Sequence, residues 1–159
     1  MIISFDLDDT IIPGIKTFAT EEHNFLQRIA GIEKIRLGTI KLFQELRLQG
    51  HSIYIYTTSF RPILKTKFTF YTYGIPVDKV INQKCHDEEL KENKGRCSKF
   101  LPAFGIDLHV DDSPGLKIEG EKFNFKTIII KEADKNWTQT ILENLAKIKA
   151  PSIYSQQQK

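Results

Sequence analysis

Short apolar runs alternate with segments of helical periodicity along almost the whole chain of 159 residues, and this alternation limits the possible folds more than any other feature. The apolar runs predict five short β-strands; these are 2–7, 51–58, 79–82, 106–112 and 126–131. Parallel neighbouring strands need long crossover connections, which are usually helices. The order therefore predicts an α/β, Rossmann-like parallel sheet with helices on both faces.

The segments between the strands carry helix signals of different strength. The clearest is 35–49, where apolar residues recur at helical spacing and Gly50 provides the stop. Thr20 is a candidate N-cap for another helix. The predicted helices are 20–31, 35–49, 62–73, 95–104 and a last one from Trp137, whereas 83–94 is predicted to be a polar loop. Together these elements predict a single domain over 1–149, followed by a flexible C-terminal tail over 150–159.

The composition limits the kind of partner. The formal net charge is only +3 and the basic residues are spread along the chain, so there is no clear nucleic-acid footprint. No apolar run is long enough to cross a membrane, and no secretory leader is recognisable before the first strand. The two cysteines fit a reducing compartment, and their spacing matches no common zinc pattern. A cytoplasmic protein is therefore expected.

Acidic and hydroxyl side chains stand at the carboxyl ends of three predicted strands; they are Asp6 and Asp8, Thr57 and Thr58, and Asp111 and Asp112. In a parallel sheet these ends lie at one edge, where ligands of open α/β folds bind. Carboxylates from two strands would make the oxygen-rich site that Mg2+ prefers. One aspartate could attack phosphorus to form an aspartyl-phosphate, and a second acid could protonate the leaving oxygen and then activate water.

These residues resemble the motifs of the haloacid dehalogenase (HAD) superfamily of phosphotransferases. The stretch DLDDT at 6–10 is similar to its DxDxT signature, and IYIYTTS resembles its strand that ends in a phosphate-binding hydroxyl. Further along, NKGRCSKFLPAFGI resembles the lysine-bearing helix and LHVDDSPG the last acidic motif. The four motifs come in the family's order and span residues 1–115.

The resemblance implies a role for each matching residue. Asp6 is expected to be the nucleophile and a Mg2+ ligand. Asp8 is expected to be the general acid and base, with its backbone carbonyl as a further Mg2+ ligand. Asp112 aligns with the family's metal ligand, and Asp111 is expected to support it directly or through water. Thr57 is implied to bind the substrate phosphate, with Thr58 as the alternative.

Other positions are matched less specifically. The phosphate-binding lysine is implied to be Lys94, which precedes the predicted helix, with Lys99 inside that helix as the second choice. Thr10 is expected to order the loop beside the substrate. Arg61 is expected either to steer the substrate phosphate or to be an ordinary surface residue. Two further expectations come from the residues themselves: Asp9 is predicted to be a loop or cap residue, and His109 a hydrogen-bonded strand residue.

The implied function is a Mg2+-dependent phosphatase that hydrolyses phosphomonoesters through an aspartyl-phosphate on Asp6. The alternative is a non-catalytic or regulatory protein that binds Mg2+ and phosphate. The interval 13–34 has room only for a small helical flap, so a minimal cap or none is expected over the site. The phosphorylated substrate, small or macromolecular, and the oligomeric state stay open. The aromatic residues of 68–73 are predicted to pack in a helix rather than to stack on bases.

Overall fold

A five-stranded, all-parallel sheet forms the centre of the molecule. The computed structural model describes residues 1–91 and 97–149. The strands are β1 (Ile2–Phe5), β2 (Ser52–Tyr56), β3 (Lys79–Ile81), β4 (Leu108–Asp111) and β5 (Lys126–Ile129). Their order is β3-β2-β1-β4-β5, and all neighbouring pairs are parallel. All five strands were predicted from apolar runs, and the α/β class with a Rossmann-like parallel sheet is confirmed.

Helices cover the sheet, and their bounds differ from the predicted ones mainly at the N-termini. They are α1 (Phe25–Ile29), α2 (Thr39–Leu48), α3 (Ile63–Thr72), α4 (Gln83–Leu90), α5 (Pro114–Phe123) and α6 (Trp137–Lys149). A 3-10 segment, Leu101–Phe104, precedes β4. Helix α2 begins four residues later than predicted, because Gly38 adopts a left-handed φ of 94° before it.

The two faces of the sheet differ in polarity. On one face, Ile3 and Phe5 of β1 pack in the main apolar core with α2, α3 and α6. A smaller apolar cluster around Tyr56, Ile81 and Leu101 covers the other face. Since side chains alternate along a strand, Ser4 points to this second face. The polar side chains of the candidate active site lie on this same face.

Two helices run where the sequence predicted none. The prediction of a loop over 83–94 was wrong for 83–90, where α4 has little apolar periodicity. Its start is held by the side chain of Asn82, which accepts a hydrogen bond from the backbone N–H of Cys85 at 3.0 Å. Its buried His86 lies with Nδ1 2.5 Å from the Tyr56 hydroxyl. The Asn82 cap and the hydrogen bond between His86 and Tyr56 thus stabilise a helix that lacks the usual apolar stripe.

Helix α5 was also missed, because Gly115 and Gly120 weaken its helix signal. Gly120 is required by packing, since a Cβ there would lie 2.8 Å from the carbonyl oxygen of Phe125. The helix therefore crosses tightly over the chain entering β5. The other end of α5, at Pro114, comes three residues after the end of β4 at Asp111.

The interval 13–34 contains a single helix, α1, which is much shorter than the predicted 20–31. Thr20 does not cap it, because Thr20 pairs with Arg36 in an antiparallel bridge. Asn24 is the N-cap instead, in a reciprocal capping box with Gln27. The tail at 150–159 and the N-terminal part of the helix predicted at 95–104 lie outside the described residues. No helix among the described residues is long and apolar enough to cross a membrane.

Candidate active site

The register between β1 and β4 brings two carboxylates together. Ser4 of β1 lies opposite His109 of β4, and the N–H of Asp6 donates to the carbonyl oxygen of Val110 at 2.8 Å. Asp6 follows Ser4 by two residues and Asp111 follows His109 by two, so all four side chains are on one face of the sheet. Asp6 and Asp111 are 6% and 3% exposed. Two buried carboxylates side by side can both be ionised only if a cation lies close to them.

Lys99 is that cation. Its Nζ lies 2.6 Å from Oδ1 of Asp6 and 2.6 Å from Oδ2 of Asp111, and the residue is 3% exposed. Lys99 was the second choice of the sequence interpretation. The first choice, Lys94, lies outside the described residues. The chain therefore places Lys99, from the segment just before the 3-10 turn, between the acids of β1 and β4.

The three groups shift one another's pKa. Burial raises the pKa of Asp6 to about 6, because Lys99 offsets only part of the lost hydration and the charge of Asp111 adds to the rise. Burial would also raise the pKa of Asp111, but the hydrogen bond from His109 and the charge of Lys99 outweigh it and lower that pKa. Burial would lower the pKa of Lys99, yet the charges of Asp6 and Asp111 raise it. Lys99 therefore stays charged at neutral pH.

His109 lies behind this arrangement. Its Nε2 is 3.1 Å from Oδ2 of Asp111, and its Nδ1 is 2.7 Å from the Ser4 hydroxyl. Nε2 also lies 3.2 Å from Nζ of Lys99, so this one ring nitrogen contacts both the ammonium and the carboxylate of the buried pair. Burial, together with the charge of Lys99, lowers the pKa of His109 to about 4. The predicted hydrogen-bonded strand histidine is confirmed, and it orients a carboxylate of the site.

The lowered pKa of His109 predicts a pH-dependent contribution to stability. The unfolded chain binds a proton at this residue below about pH 6.5, whereas the folded chain does not until about pH 4, so this contribution is full above pH 6.5 and is lost as the pH falls. Asp6 acts in the opposite direction, because its raised pKa adds stability below about pH 6. The variant His109→Gln separates the two. We expect its destabilisation, measured by urea unfolding in EDTA, to be about 2 kcal/mol smaller at pH 5 than at pH 7. An equal destabilisation at both pH values would contradict this account.

Asp8 is held away from the buried pair. Its Oδ1 accepts hydrogen bonds from Nη2 and Nε of Arg61 at 2.7 and 3.1 Å, and its Oδ2 accepts from the Thr57 hydroxyl at 3.3 Å. Arg61 also donates to Glu33 at 2.5 Å. Arg61 therefore links Asp8, at the end of β1, to the segment after α1. Glu33 had no motif that could have indicated it.

Asp112 lies at the rim and is held by two other partners. The Thr10 hydroxyl donates to its Oδ1 at 3.1 Å, and the ammonium of Lys16 pairs with its Oδ2. Asp9 adopts a left-handed φ of 62° and accepts hydrogen bonds from the N–H groups of Gly14 and Lys16. The prediction that Asp9 is a loop residue is thus confirmed. This loop brings Lys16, which no sequence motif indicated, to the site.

Three of the carboxylates are close enough to share a cation. Asp6, Asp111 and Asp112 each offer an oxygen, and these oxygens all lie within 4.8 Å of one another. Carboxylate oxygens are the donors that Mg2+ prefers, so the set fits that ion chemically. The carboxylate of Asp8 does not belong to this group, and the role predicted for its backbone carbonyl stays a prediction.

The site opens into a small cavity of about 240 Å3. Its lining includes both acidic pairs together with Thr58, Ser98, Lys99 and Ser113. Thr58 is exposed here, whereas Thr57 is 1% exposed and directed at Asp8 and Ser59. The N–H of Ser113, at the start of α5, donates to Oδ1 of Asp111 at 2.7 Å. The edge of the sheet therefore presents carboxylates, hydroxyls and an ammonium to one open pocket.

Comparison of the sequence with protein-family models matched none of them, and comparison with curated proteins found no relative. The chemistry of the site has to carry the functional interpretation.

Proposed function

We propose that the protein is a Mg2+-dependent phosphatase that hydrolyses phosphomonoesters. The observation that carries this proposal is the cluster of Asp6, Asp111 and Asp112 with the ammonium of Lys99 between the first two. A cation bound by these oxygens would reduce the repulsion between a carboxylate nucleophile and a phosphate dianion. The resemblance to HAD phosphotransferases in DLDDT and the later motifs supports the same reading.

We assign the roles of the side chains from the resemblance together with their positions. Asp6 is the nucleophile: its carboxylate oxygen forms a bond to phosphorus as the bond from phosphorus to the ester oxygen breaks. Asp8 gives a proton to the leaving oxygen, so an alcohol departs and an aspartyl-phosphate remains. Asp8 then takes a proton from water as the water oxygen attacks phosphorus, which releases phosphate and restores Asp6.

The remaining groups bind and position. Lys99 neutralises the carboxylates and lies within the cavity that would hold the phosphoryl oxygens. Thr58 lines the same cavity and offers its hydroxyl, whereas Thr57 bonds to Asp8 and supports its orientation. Arg61 fixes Asp8 and must release it for proton transfer. A cavity of about 240 Å3 holds a phosphoryl group together with part of the leaving group, and the rest of a larger substrate would lie outside it.

Metal removal gives the direct test. We expect the purified protein to hydrolyse p-nitrophenyl phosphate with Mg2+, to lose that activity in EDTA, and to regain it when excess Mg2+ is added. The physical reason is that the cation screens the dianion from the acidic cluster. Binding of Mg2+ and inorganic phosphate without turnover of any phosphomonoester would favour the non-catalytic alternative. Equal turnover with and without EDTA would contradict the proposed mechanism.

A further inference from the structure

Exposed apolar side chains are concentrated on one part of the surface. Of the twelve large apolar residues that are exposed among those described, seven lie on α1, on α3 or directly before α3. This α1–α3 face consists of Phe25, Leu26, Ile29, Phe60, Leu64, Phe68 and Tyr71. Phe25, Leu26 and Leu64 are 74%, 74% and 81% exposed. The prediction that the aromatic residues of 68–73 pack inside a helix is wrong for Phe68 and Tyr71.

A hydrogen bond places α1 beside the C-terminal end of α3. Leu64 and Phe68 are one turn apart on α3, and Thr72 follows one turn later on the same side. The side chain of Gln27 in α1 donates to the carbonyl oxygen of Thr72 at 3.1 Å. The exposed apolar side of α3 therefore ends next to α1. Large exposed apolar patches on folded proteins usually mark sites of interaction with a partner.

The charged residues on the two helices themselves are all basic. Arg28 of α1 and Lys65 of α3 are exposed, and neither helix contains an acidic residue. Glu33, which follows α1, is paired with Arg61, and Glu22 is an exposed acid that precedes the helix. A partner with apolar side chains and acidic groups would complement this surface. Two exposed cations are too few to follow a polynucleotide backbone or to hold an anionic membrane.

The surface is continuous with the candidate active site. Phe60 precedes Arg61, and the Arg61 guanidinium contacts both Asp8 and Glu33. A chain lying across α1 and α3 would therefore pass beside the mouth of the phosphate cavity. The part of a large substrate that extends beyond this cavity could make further contacts on that surface.

We propose that the α1–α3 face binds an acidic polypeptide with apolar side chains, and that such a polypeptide, phosphorylated on a side chain, is the substrate. This inference rests on the proposed function. The polypeptide places its phosphate in the cavity, while its apolar residues cover Leu26, Phe68 and their neighbours. An acidic polypeptide is thus recognised by its sequence as well as by its phosphate.

The test uses two short synthetic phosphoserine peptides. Both carry glutamates around the phosphoserine; one also has Leu and Phe residues, which are replaced by Ser in the other. We expect kcat/KM for the apolar peptide to exceed that for the polar one by about tenfold or more. The double variant Leu26→Ser, Phe68→Ser should remove this preference. The matched control Leu48→Ser, Ile118→Ser changes two residues that are 90% and 68% exposed elsewhere, and should keep it.

Binding is measured separately from turnover, by fluorescence anisotropy of the labelled peptides with the Asp6→Asn protein. Hydrolysis of p-nitrophenyl phosphate without any preference between the peptides would overturn this inference and leave the proposed function intact. Preferential binding of the apolar peptide without turnover of any substrate would overturn the proposed function and support the α1–α3 face as a binding site for polypeptides. A face that instead binds single-stranded DNA, anionic vesicles or a second copy of the chain, each lost in the double variant, would overturn the inference.

Discussion

The variant Asp6→Asn should lose Mg2+-dependent hydrolysis of p-nitrophenyl phosphate by about 10⁴-fold or more, because an amide cannot attack phosphorus in place of the carboxylate. The amide is nearly isosteric, and its oxygen can still accept the hydrogen bond that Lys99 donates at 2.6 Å. Folding should therefore be retained, which circular dichroism and the urea midpoint would show. The loss would then be chemical rather than structural.

The matched control is Asp107→Asn. Asp107 lies at the other end of β4, where its Oδ2 accepts a hydrogen bond from the N–H of Ile2 at 2.7 Å, and an asparagine oxygen can make the same bond. We expect its activity to stay near that of the wild type. Substantial turnover in Asp6→Asn, beside an unaffected control, would remove Asp6 from the chemistry and with it the proposed mechanism.

The second large effect concerns Lys99. Replacing it by methionine leaves Asp6 and Asp111 facing each other without their buried counter-charge, which typically costs 3–5 kcal/mol. We expect a loss of about 4 kcal/mol in the free energy of unfolding when it is measured in EDTA. Saturating Mg2+ should recover part of it, because a cation that binds only the folded chain stabilises it and replaces the missing charge. Hydrolytic activity should fall as well.

Lys84→Met is the control for this variant, since Lys84 is exposed and, within the described part of the chain, forms an ion pair with the neighbouring Glu88 at 3.8 Å. Lys94→Met tests the first choice of the sequence interpretation directly. If Lys99 is the phosphate-binding lysine, Lys94→Met keeps its activity. A stable, active Lys99→Met protein beside an inactive Lys94→Met protein would reverse the assignment.

The strands could be predicted because each is a short apolar run. Their parallel direction could be predicted because helical segments alternate with them along the chain. Helix α4 could not, because its stability depends on the Asn82 cap and on the contact between His86 and Tyr56. Helix α5 was hidden by Gly120, whose small size is needed only where the chain passes Phe125. Contacts made in three dimensions decided both cases.

Part of the candidate site could also be predicted from the sequence. Acidic residues at strand ends indicated that Asp6, Asp111 and Asp112 would meet. Alternation along β4 would also have placed His109 on the face of Asp111, since the two are separated by one residue. Lys16 and Glu33 carried no such signal, because only the course of the 13–34 segment brings them to Asp112 and Arg61.

The strand order has a consequence for the growing chain. β1 lies in the middle of the sheet, but its two partners are synthesised far apart: β2 begins at Ser52 and β4 only at Leu108. Until β4 emerges, a half-built sheet of β1, β2 and β3 exposes the unpaired backbone of β1 along one side. Open edges of this kind recruit other strands. A chain that folded during synthesis would therefore carry an open edge at the centre of its sheet until about 50 further residues had followed β2.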